Sequence, residues 1–259
     1  MQLGLTNKTA LITGASKGIG LACAEVLAAE GCHLHLAARN GEAMAQAKAA
    51  IETAHDVRVS VHPLDLSSTA AMEQLAEAVG DVDILVNNAG DIPAGSLSVV
   101  SDEAIRIGFD LKVFGYITLS RLYYPRMKGR DGVIINVIGN SGENWDASYF
   151  AGSTGNAALM AFTKAIGGAS LNDGIRVVGV NPGPVATDRM LKIMRRKAID
   201  MLGEEARWEE LFDRYPGKRP ATAKEVADLV AFLASPLAGY ITGTNVTIDG
   251  GISARGSVI

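Results

Sequence analysis

Three glycines near the start of the chain have the spacing of a phosphate-binding turn. Gly14, Gly18 and Gly20 lie within the segment TGASKGIG, which follows a short apolar run and precedes a helical pattern. Gly14 permits a tight turn, Gly18 lets the backbone approach a ligand, and Gly20 lets the helix pack on the strand. The free N–H groups at the start of that helix favour a phosphate. In this context the spacing predicts a dinucleotide pyrophosphate site, whereas a lone glycine trio would indicate only a turn.

The charges around the second predicted strand indicate which dinucleotide is bound. The strand ends in the segment Ala37-Ala38-Arg39-Asn40, where NAD sites usually place a carboxylate that holds the ribose 2′-hydroxyl. This chain has Arg39 there, and Lys17 lies in the glycine-rich segment. Two cations suit a 2′-phosphate, so the sequence predicts NADP(H). The alternative, two solvated surface cations, leaves the missing carboxylate unexplained.

Strand and helix patterns alternate along the whole chain. Short apolar runs, the first of them Thr9–Thr13, are separated by helical patterns that include Thr69–Val79 and a long one from Ser101 to Arg126, with no linker and no repeat. The alternation predicts one α/β domain over residues 1–259, a Rossmann-type fold with a doubly wound parallel sheet that binds ligands at its carboxyl edge. Residues 187–220 are too long for an ordinary connection and are rich in Arg, Glu and Met. We expect them to form a helical lid over a substrate pocket.

Composition argues against several classes of protein. The 259 residues have a formal net charge of -4 and no basic stripe, which argues against a nucleic-acid partner. No apolar run approaches the length of a membrane span, and residues 1–7 are too short and polar for a signal peptide. Cys23 and Cys32 fall in apolar patterns, so we expect buried free thiols rather than a disulfide or a metal site.

Four further segments make the resemblance to a known family specific. In addition to the glycine-rich loop, the chain has Asp65-Leu66, Asn87-Asn88-Ala89-Gly90, Asn181-Pro182-Gly183 with Thr187, and Asp249-Gly250-Gly251. With these, nearly the whole chain resembles the short-chain dehydrogenases/reductases. The resemblance implies that the first three segments cradle adenine, brace the central sheet and hold the nicotinamide amide. The residues predicted to bind NADP(H) are Gly14, Ser16, Lys17, Gly18, Ile19, Gly20, Arg39, Asn40, Asp65, Leu66, Asn88, Ala89, Gly90, Asn156, Pro182, Gly183, Val185 and Thr187.

The resemblance also implies where the catalytic group of the family would lie. That group is a serine after the fifth strand, a Tyr-x-x-x-Lys on the next helix and an asparagine on the long helix. The tyrosine acts as acid or base, and the lysine lowers the pKa of the tyrosine. Asn136-Val137 and the run from Ala157 to Lys164 fix the register from both sides. The serine, tyrosine, lysine and asparagine positions then carry Gly139, Gly152, Asn156 and Asp110.

Four residues are considered for the missing chemistry. Tyr149 lies three residues before Gly152 and suits a pocket wall better than a catalytic acid. A substrate, or an inserted side chain such as Tyr149 or Trp145, could fill the space that the two glycines leave. Asn156 can hydrogen-bond ribose hydroxyls without a charge. Asp110 and Glu143 are carboxylates expected near the pocket, with a structural hydrogen bond and a solvated loop charge as the respective alternatives. The predicted catalytic residues are therefore Asp110, Tyr149 and Asn156.

The sequence leaves three functions open. The first is an NADP(H)-dependent oxidoreductase with a rearranged acid/base group that acts on a small carbonyl compound or alcohol. A positioned acid contributes about 10²–10⁴-fold, so its loss slows hydride transfer without forbidding it. The second is an NADP(H)-binding sensor or inactive partner, and the third is a lyase, which has no need of the cofactor.

The resemblance further implies a cytoplasmic homo-oligomer, either a tetramer or a dimer. The interfaces would be built on the long helix, on the helix Thr154–Ser170 and on the last strand. Small residues would permit close helix contact at Gly155, Ala158, Ala161 and Gly168.

Overall fold

A seven-stranded parallel sheet forms the centre of the molecule. The structure is a computed structural model that describes residues 2–254, except the side chains at positions 189, 192, 193 and 197. The strand order is β3-β2-β1-β4-β5-β6-β7, with every neighbouring pair parallel. The strands are β1 Thr9–Thr13, β2 His33–Ala38, β3 Val59–Pro63, β4 Ile84–Asn87, β5 Gly132–Val137, β6 Ile175–Pro182 and β7 Thr244–Ile248. The predicted doubly wound α/β fold is confirmed.

Helices connect the strands and begin at polar caps. Their bounds are α1 Gly18–Ala29, α2 Gly41–Ala54, α3 Thr69–Val79, α4 Asp102–Phe109, α5 Gly115–Met127, α6 Phe150–Ser170, α7 Asp188–Leu202 and α8 Ala223–Ala234. At five of these starts, a side-chain oxygen accepts a hydrogen bond from a backbone N–H of the first turn; the capping residues are Asn40, Ser68, Ser101, Thr187 and Thr222.

Aliphatic side chains bury both faces of the sheet. One apolar cluster joins the strands to α1 and α8, and a second joins them to α3 and α5. Strands β5 and β6 are buried along their whole length, which explains why each contains four Val and Ile residues. The strand order reverses between β1 and β4, so the loops after Thr13 and Asn87 diverge and open a crevice at the carboxyl edge.

Two helices differ from the sequence prediction. The long helix expected from Ser101 to Arg126 is interrupted by a π-helical turn, Asp110–Phe114, between α4 and α5. One wider turn leaves the apolar spacing of the flanking turns almost unchanged, so the sequence carries no signal for it. Helix α6 begins at Phe150 rather than at Thr154. The glycines of its first turns have low helix propensity, which packing overrides here.

Residues 187–220 are largely helical, as expected. Helix α7 is followed by a 3₁₀ segment, Glu205–Arg214. Met194, Ala198 and Phe212 are buried, and the Trp208 ring meets the Phe212 ring edge-on at 5.6 Å. Helix α7 and the 3₁₀ segment therefore pack against each other.

Both cysteines are buried and unbridged, which confirms their prediction. Burial raises the pKa of Cys23 and that of Cys32 to about 12. The thiols are therefore protonated and unreactive at neutral pH. Within residues 2–254, no helix is long and apolar enough to cross a bilayer.

Candidate functional site

The loop between β1 and α1 has a shape that favours glycine at each of its three predicted positions. Gly14 and Gly18 have positive φ angles of 68° and 60°. A side chain at Gly20 would collide with the carbonyl oxygen of Gly14. The loop therefore leaves the first N–H groups of α1 uncovered at the carboxyl edge of the sheet, where the sequence predicts a pyrophosphate.

Hydrogen bonds tie this loop to the segment that follows β4. The Thr13 hydroxyl accepts from the backbone N–H groups of Asn88 at 2.9 Å and Ala89 at 3.0 Å. The Asn88 side chain donates to the Thr13 carbonyl at 3.0 Å. Below it, Asn87 donates to the Asn136 side chain at 2.9 Å and so links β4 to β5. These bonds give the bracing that the resemblance implies for this segment.

The two predicted phosphate-binding cations lie at the ends of adjacent strands. Lys17 follows β1, and Arg39 follows β2. Both side chains are exposed, and neither has an ion pair or a hydrogen bond with another described residue. Asn40 is occupied as the cap of α2, where it accepts from the Ala43 N–H at 3.0 Å. This edge of the sheet therefore has two cations available to an anionic ligand.

The other predicted cofactor residues follow the same edge of the sheet. Thr187 caps α7, and its methyl carbon would lie 3.3 Å from a Cβ placed at Gly18, so the phosphate loop adjoins the start of residues 187–220. The predicted cofactor residues with at least partial exposure include Ser16, Ile19, Asp65, Ala89 and Gly90, whereas Leu66 and Val185 are buried.

A cleft of about 330 Å³ opens beyond the carboxyl ends of β5 and β6. Five segments form its wall: the π-helical turn, the loop after β5, the start of α6 with the residue before it, the loop after β6 and the turn after β7. Residues of this wall include Lys112, Gly139, Ser141, Tyr149, Asn156 and Gly183. Two of the three predicted catalytic residues, Tyr149 and Asn156, therefore line one cavity together with the segment predicted to hold the nicotinamide amide.

The ring of Tyr149 occupies the space beside Gly152. A Cβ built on Gly152 would overlap the Cε1 and Cζ atoms of that ring. Tyr149 precedes the first turn of α6, and its backbone N–H donates to the Asp146 carbonyl at 3.0 Å. Ring and glycine are therefore complementary: the tyrosine can lie there because residue 152 has no side chain.

Tyr116 is the other tyrosine close to this site, and it is structural. Its hydroxyl donates to the Val137 carbonyl at 2.9 Å. Burial, and then the proximity of Tyr149, raise the pKa of Tyr116 far above its ordinary value. Tyr116 is fully buried and does not line the cleft, whereas Tyr149 reaches it.

Sequence reasoning missed Lys112, Asn140, Ser141 and Asn144 of the cleft, and two of them, Lys112 and Ser141, form hydrogen bonds with Asn156. The ammonium group of Lys112 donates to the Ile138 carbonyl at 2.5 Å and to Asn156 Oδ1 at 2.8 Å. The Nδ2 atom of Asn156 donates to the Ser141 hydroxyl at 2.7 Å. A lysine between apolar Leu111 and Val113 in a helical pattern was the available signal for Lys112. Neither residue belongs to a motif, so spacing alone did not single them out.

The two carboxylates expected near the pocket lie elsewhere. Asp110 is exposed and lines a separate groove of about 400 Å³ on the side of α4. The π-helical turn brings Lys112, and not Asp110, to the cleft. Glu143 accepts hydrogen bonds from Asn181 at 3.3 Å and from Thr247. It is exposed, as a loop charge would be, and it also links the loop after β5 to β6 and β7.

Gly155 also differs from expectation. A Cβ at this position would lie 2.9 Å from Ile92 Cδ1 and 3.1 Å from Val113 Cγ2, so Gly155 packs within the molecule. It cannot contribute to a contact between subunits. Ala158, Ala161 and Gly168 are exposed on α6, as an interface requires.

Asp249 holds the loop after β5 against the C-terminal turn. Its carboxylate accepts from Asn140 Nδ2 at 3.2 Å and from the backbone N–H groups of Gly251 at 2.8 Å and Ser253 at 2.7 Å. Burial opposes ionisation, but the hydrogen bonds from Ser253, Asn140 and Gly251 outweigh it, and the pKa of Asp249 lies below its ordinary value. Asp249 is therefore ionised at neutral pH.

A family model described as enoyl-(acyl carrier protein) reductase matches residues 14–253, which include every loop described above. The chain belongs to the short-chain dehydrogenase/reductase family. The glycine-rich loop and the strand order agree with this membership. The similarity to curated relatives covers nearly their full length. Oxidoreductase UcpA of Salmonella typhimurium strain LT2 is 35% identical over 258 residues, covering 98% of this chain and 97% of the relative.

Two other similar proteins use NADPH, and the structure of one of them also contains a substrate. NADPH-dependent reductase BacG of Bacillus subtilis strain 168 is 33% identical, covering 95% of this chain and 98% of that protein. The crystal structure of L-sorbose reductase from Gluconobacter frateurii, complexed with NADPH and L-sorbose, superposes with a TM-score of 0.91. It is 32% identical and covers 98% of this chain and 100% of that one.

Proposed function

We propose that this protein is an NADP(H)-dependent oxidoreductase that reduces a small carbonyl compound or oxidises the corresponding alcohol. The observation that supports this function most strongly is that Tyr149 lines the same cleft as Asn156 and Gly183. That cleft lies at the carboxyl edge of the sheet, beside the predicted nicotinamide segment. An oxidoreductase needs a proton donor at this place, and the tyrosine hydroxyl is a suitable one.

The described residues fit NADP(H) as the cofactor. A Cβ at Gly20 would block the phosphate loop, and Lys17 and Arg39 are exposed cations without a partner among the described residues. Bidentate Arg and a neighbouring Lys suit the 2′-phosphate of NADP(H). The NADPH complex of L-sorbose reductase and the NADPH dependence of BacG support the same choice. When bound, the cofactor supplies or accepts the hydride.

The proposed active site is atypical for the family. In the register given above, Gly139, Gly152 and Asn156 replace the serine, the tyrosine and the lysine. Tyr149 fits the acid/base role because its ring lies where a side chain at position 152 would begin. During reduction the phenol would donate its proton to the substrate oxygen, and during oxidation the phenolate would take it back.

Three further features belong to this proposal. Residues 187–220 would close over the cleft, since Thr187 at their start adjoins the phosphate loop. The protein would be a cytoplasmic homo-oligomer in which α6 presents Ala158, Ala161 and Gly168 to a second copy. Light scattering coupled to gel filtration measures the oligomeric state, and a monomeric mass would contradict this part.

Hydrogen exchange tests the proposed lid. We expect the amides of residues 187–220 to gain protection when NADPH and a substrate are added together, because closure shields their backbone from water. The amides of α3, which lies at the other side of the sheet, serve as the internal control. Unchanged exchange in residues 187–220 with both ligands present would contradict a lid.

Turnover of a carbonyl panel tests the function itself. We expect oxidation of NADPH, and much less of NADH, with one or more aldehydes, ketones or ketoses, measured by the loss of dihydronicotinamide absorbance. Calorimetric titration of NADPH is run in parallel. Tight NADPH binding without turnover across the panel would favour the second hypothesis, an NADP(H)-binding sensor or inactive partner. Absence of both binding and turnover would contradict the proposal entirely.

A further inference from the structure

Lys112 is a lysine in the interior of the site, on an element that no motif marks. It lies in the π-helical turn Asp110–Phe114 and is only 9% exposed. Its aliphatic stem crosses Gly90, where a Cβ would lie 2.8 Å from Lys112 Cδ. The glycine that ends the segment after β4 therefore makes room for this lysine, and the amine reaches the cleft wall.

The lysine fixes the orientation of the Asn156 amide. Because an ammonium group can only donate, the Asn156 atom 2.8 Å from Lys112 Nζ must be the carbonyl oxygen Oδ1. The amide Nδ2 then points the other way and donates to Ser141 Oγ at 2.7 Å. Without the lysine, the amide could be turned over, and Asn156 Oδ1 would accept the Ser141 proton instead.

This orientation leaves the Ser141 proton available. The Ser141 oxygen accepts from Asn156, and the hydroxyl has no acceptor among the other described residues. Ser141 is half-buried and lines the cleft with Tyr149. The three groups form a directional chain from ammonium to amide to hydroxyl, in which each bond polarises the next. The free end of that chain is an O–H donor in the cleft, suited to a carbonyl oxygen.

We propose that Lys112 is the positioning residue of this site, which places a positive charge in the cleft and, through Asn156, directs the Ser141 hydroxyl toward the substrate oxygen. The inference rests on the proposed function. It explains how position 156 dispenses with a lysine: the cation comes from the π-helical turn, Asn156 connects it to the loop after β5, and Ser141 supplies a hydroxyl that Gly139 lacks. The substrate class that it favours is a compound with a compact carbonyl or hydroxyl group that accepts two hydrogen bonds.

A relocation experiment tests this role. The variants are Lys112→Met, the double variant Lys112→Met with Asn156→Lys, and the control Lys164→Met, which removes an exposed lysine from α6. Single-turnover hydride transfer and the separate affinities for NADPH and NADP⁺ are measured for each. The affinity ratio matters because the oxidised nicotinamide carries a positive charge and the reduced ring does not. A cation in the cleft therefore weakens NADP⁺ relative to NADPH.

We expect Lys112→Met to slow hydride transfer by about 10²-fold or more and to shift the affinity ratio toward NADP⁺ on the order of tenfold. The double variant should recover part of both, because its lysine returns a charge to the cleft from α6. Lys164→Met should behave as the unmodified protein. If Lys112→Met does not fold, Lys112→Gln takes its place, because glutamine keeps a donor and removes the charge.

Each result of these measurements either supports or overturns the role of Lys112. An unchanged rate and an unchanged affinity ratio in the Lys112 variant would overturn the inference. So would a slower rate with an unchanged ratio and no recovery in the double variant, because that pattern describes a structural role only. A shifted ratio that the double variant restores would support it even if no substrate were found. Failure of the unmodified protein to bind either nucleotide would instead contradict the proposed function.

Discussion

The two ends of the proposed ligand crevice are built in different ways. At the phosphate end, the site is formed by backbone. Positive φ angles at Gly14 and Gly18, and a position at Gly20 that has no room for a Cβ, shape one continuous loop. At the cleft end, the site is formed by side chains, which come from separate segments. The polar groups there belong to Lys112, Asn140, Ser141, Asn144, Tyr149 and Asn156.

This difference teaches which part of a site tolerates rearrangement. A backbone loop cannot be supplied from elsewhere, because its N–H groups belong to the turn itself. A side-chain function needs only an atom at the right point in space, and any neighbouring element can deliver it. Tyr149 reaches over Gly152 from outside the helix, and Lys112 reaches Asn156 from the π-helical turn. Cofactor binding should therefore be harder to relocate than acid/base chemistry.

The largest effect that would sharpen this contrast is expected from Gly152→Ala. The new methyl group would overlap the Tyr149 ring and force it out of its place. Hydride transfer should fall by about 10²–10⁴-fold, the usual contribution of a positioned acid, while NADPH affinity is retained. Single-turnover absorbance measurements and a fluorescence titration provide the two numbers.

The control is Gln74→Ala on α3. Gln74 is exposed and lies outside the cleft. This variant should keep full activity, and its free energy of unfolding should change by no more than about 0.5 kcal/mol. Equal activity of the two variants would show that the place of the Tyr149 ring is irrelevant to the reaction.

An intermediate effect is expected at the other end, from Arg39→Asp. Loss of a charge-assisted hydrogen bond to the 2′-phosphate and introduction of a like charge should weaken NADPH binding by about 10–100-fold. NADH affinity should stay constant or improve, because a carboxylate can hold a 2′-hydroxyl. Arg58→Asp is the control, since Arg58 is exposed before β3, away from the carboxyl edge. Equal affinities of the unmodified protein for NADPH and NADH would contradict the assignment of the cofactor.

The smallest effect concerns the framework between the two ends. Asp249→Asn should lower the free energy of unfolding by about 1–3 kcal/mol at neutral pH, because the charge-assisted bonds from Asn140, Gly251 and Ser253 weaken. The pKa of Asp249 is lowered in the folded protein. Its stabilisation is therefore present above the unfolded pKa of about 3.9 and is lost as the pH falls through the lower folded pKa.

Thermal melts from neutral pH downward check this sign. The difference in Tm between Asp249→Asn and the unmodified protein should be constant above about pH 5 and should shrink below about pH 4. Asp56→Asn is the control, because Asp56 is exposed and has no hydrogen bond or ion pair with another described residue. A difference that grows on acidification would show that the Asp249 carboxylate does not stabilise the fold.

The sequence predicts the fold almost completely, because its signals are local. Strand β1 has the predicted bounds, Thr9–Thr13, and so does helix α3, Thr69–Val79. Apolar runs and glycine spacing suffice for these elements. The sequence also offers Tyr149, Trp145 or a substrate to fill the space that Gly139 and Gly152 leave, and the structure places the Tyr149 ring beside Gly152.

The polar chain of the cleft could not be predicted, because its contacts join residues distant in sequence. Lys112 and Asn156 are 44 positions apart, and their contact depends on a π-helical turn without a pattern of its own. Gly90 contributes by having no side chain, which a sequence read for functional groups overlooks. The same turn explains why Asp110, expected at the site from its position in the chain, lies in another groove.

The rate of hydride transfer in Tyr149→Phe is the most direct test of the central claim, that the acid/base group of this site comes from outside the usual helix position. The control is Tyr240→Phe, because Tyr240 is 94% exposed and lies outside the cleft. With a substrate identified in the carbonyl panel, we predict a loss of about 10²–10⁴-fold for Tyr149→Phe, unchanged NADPH affinity, and no change for the control. Full activity of Tyr149→Phe would contradict the account and require another proton donor.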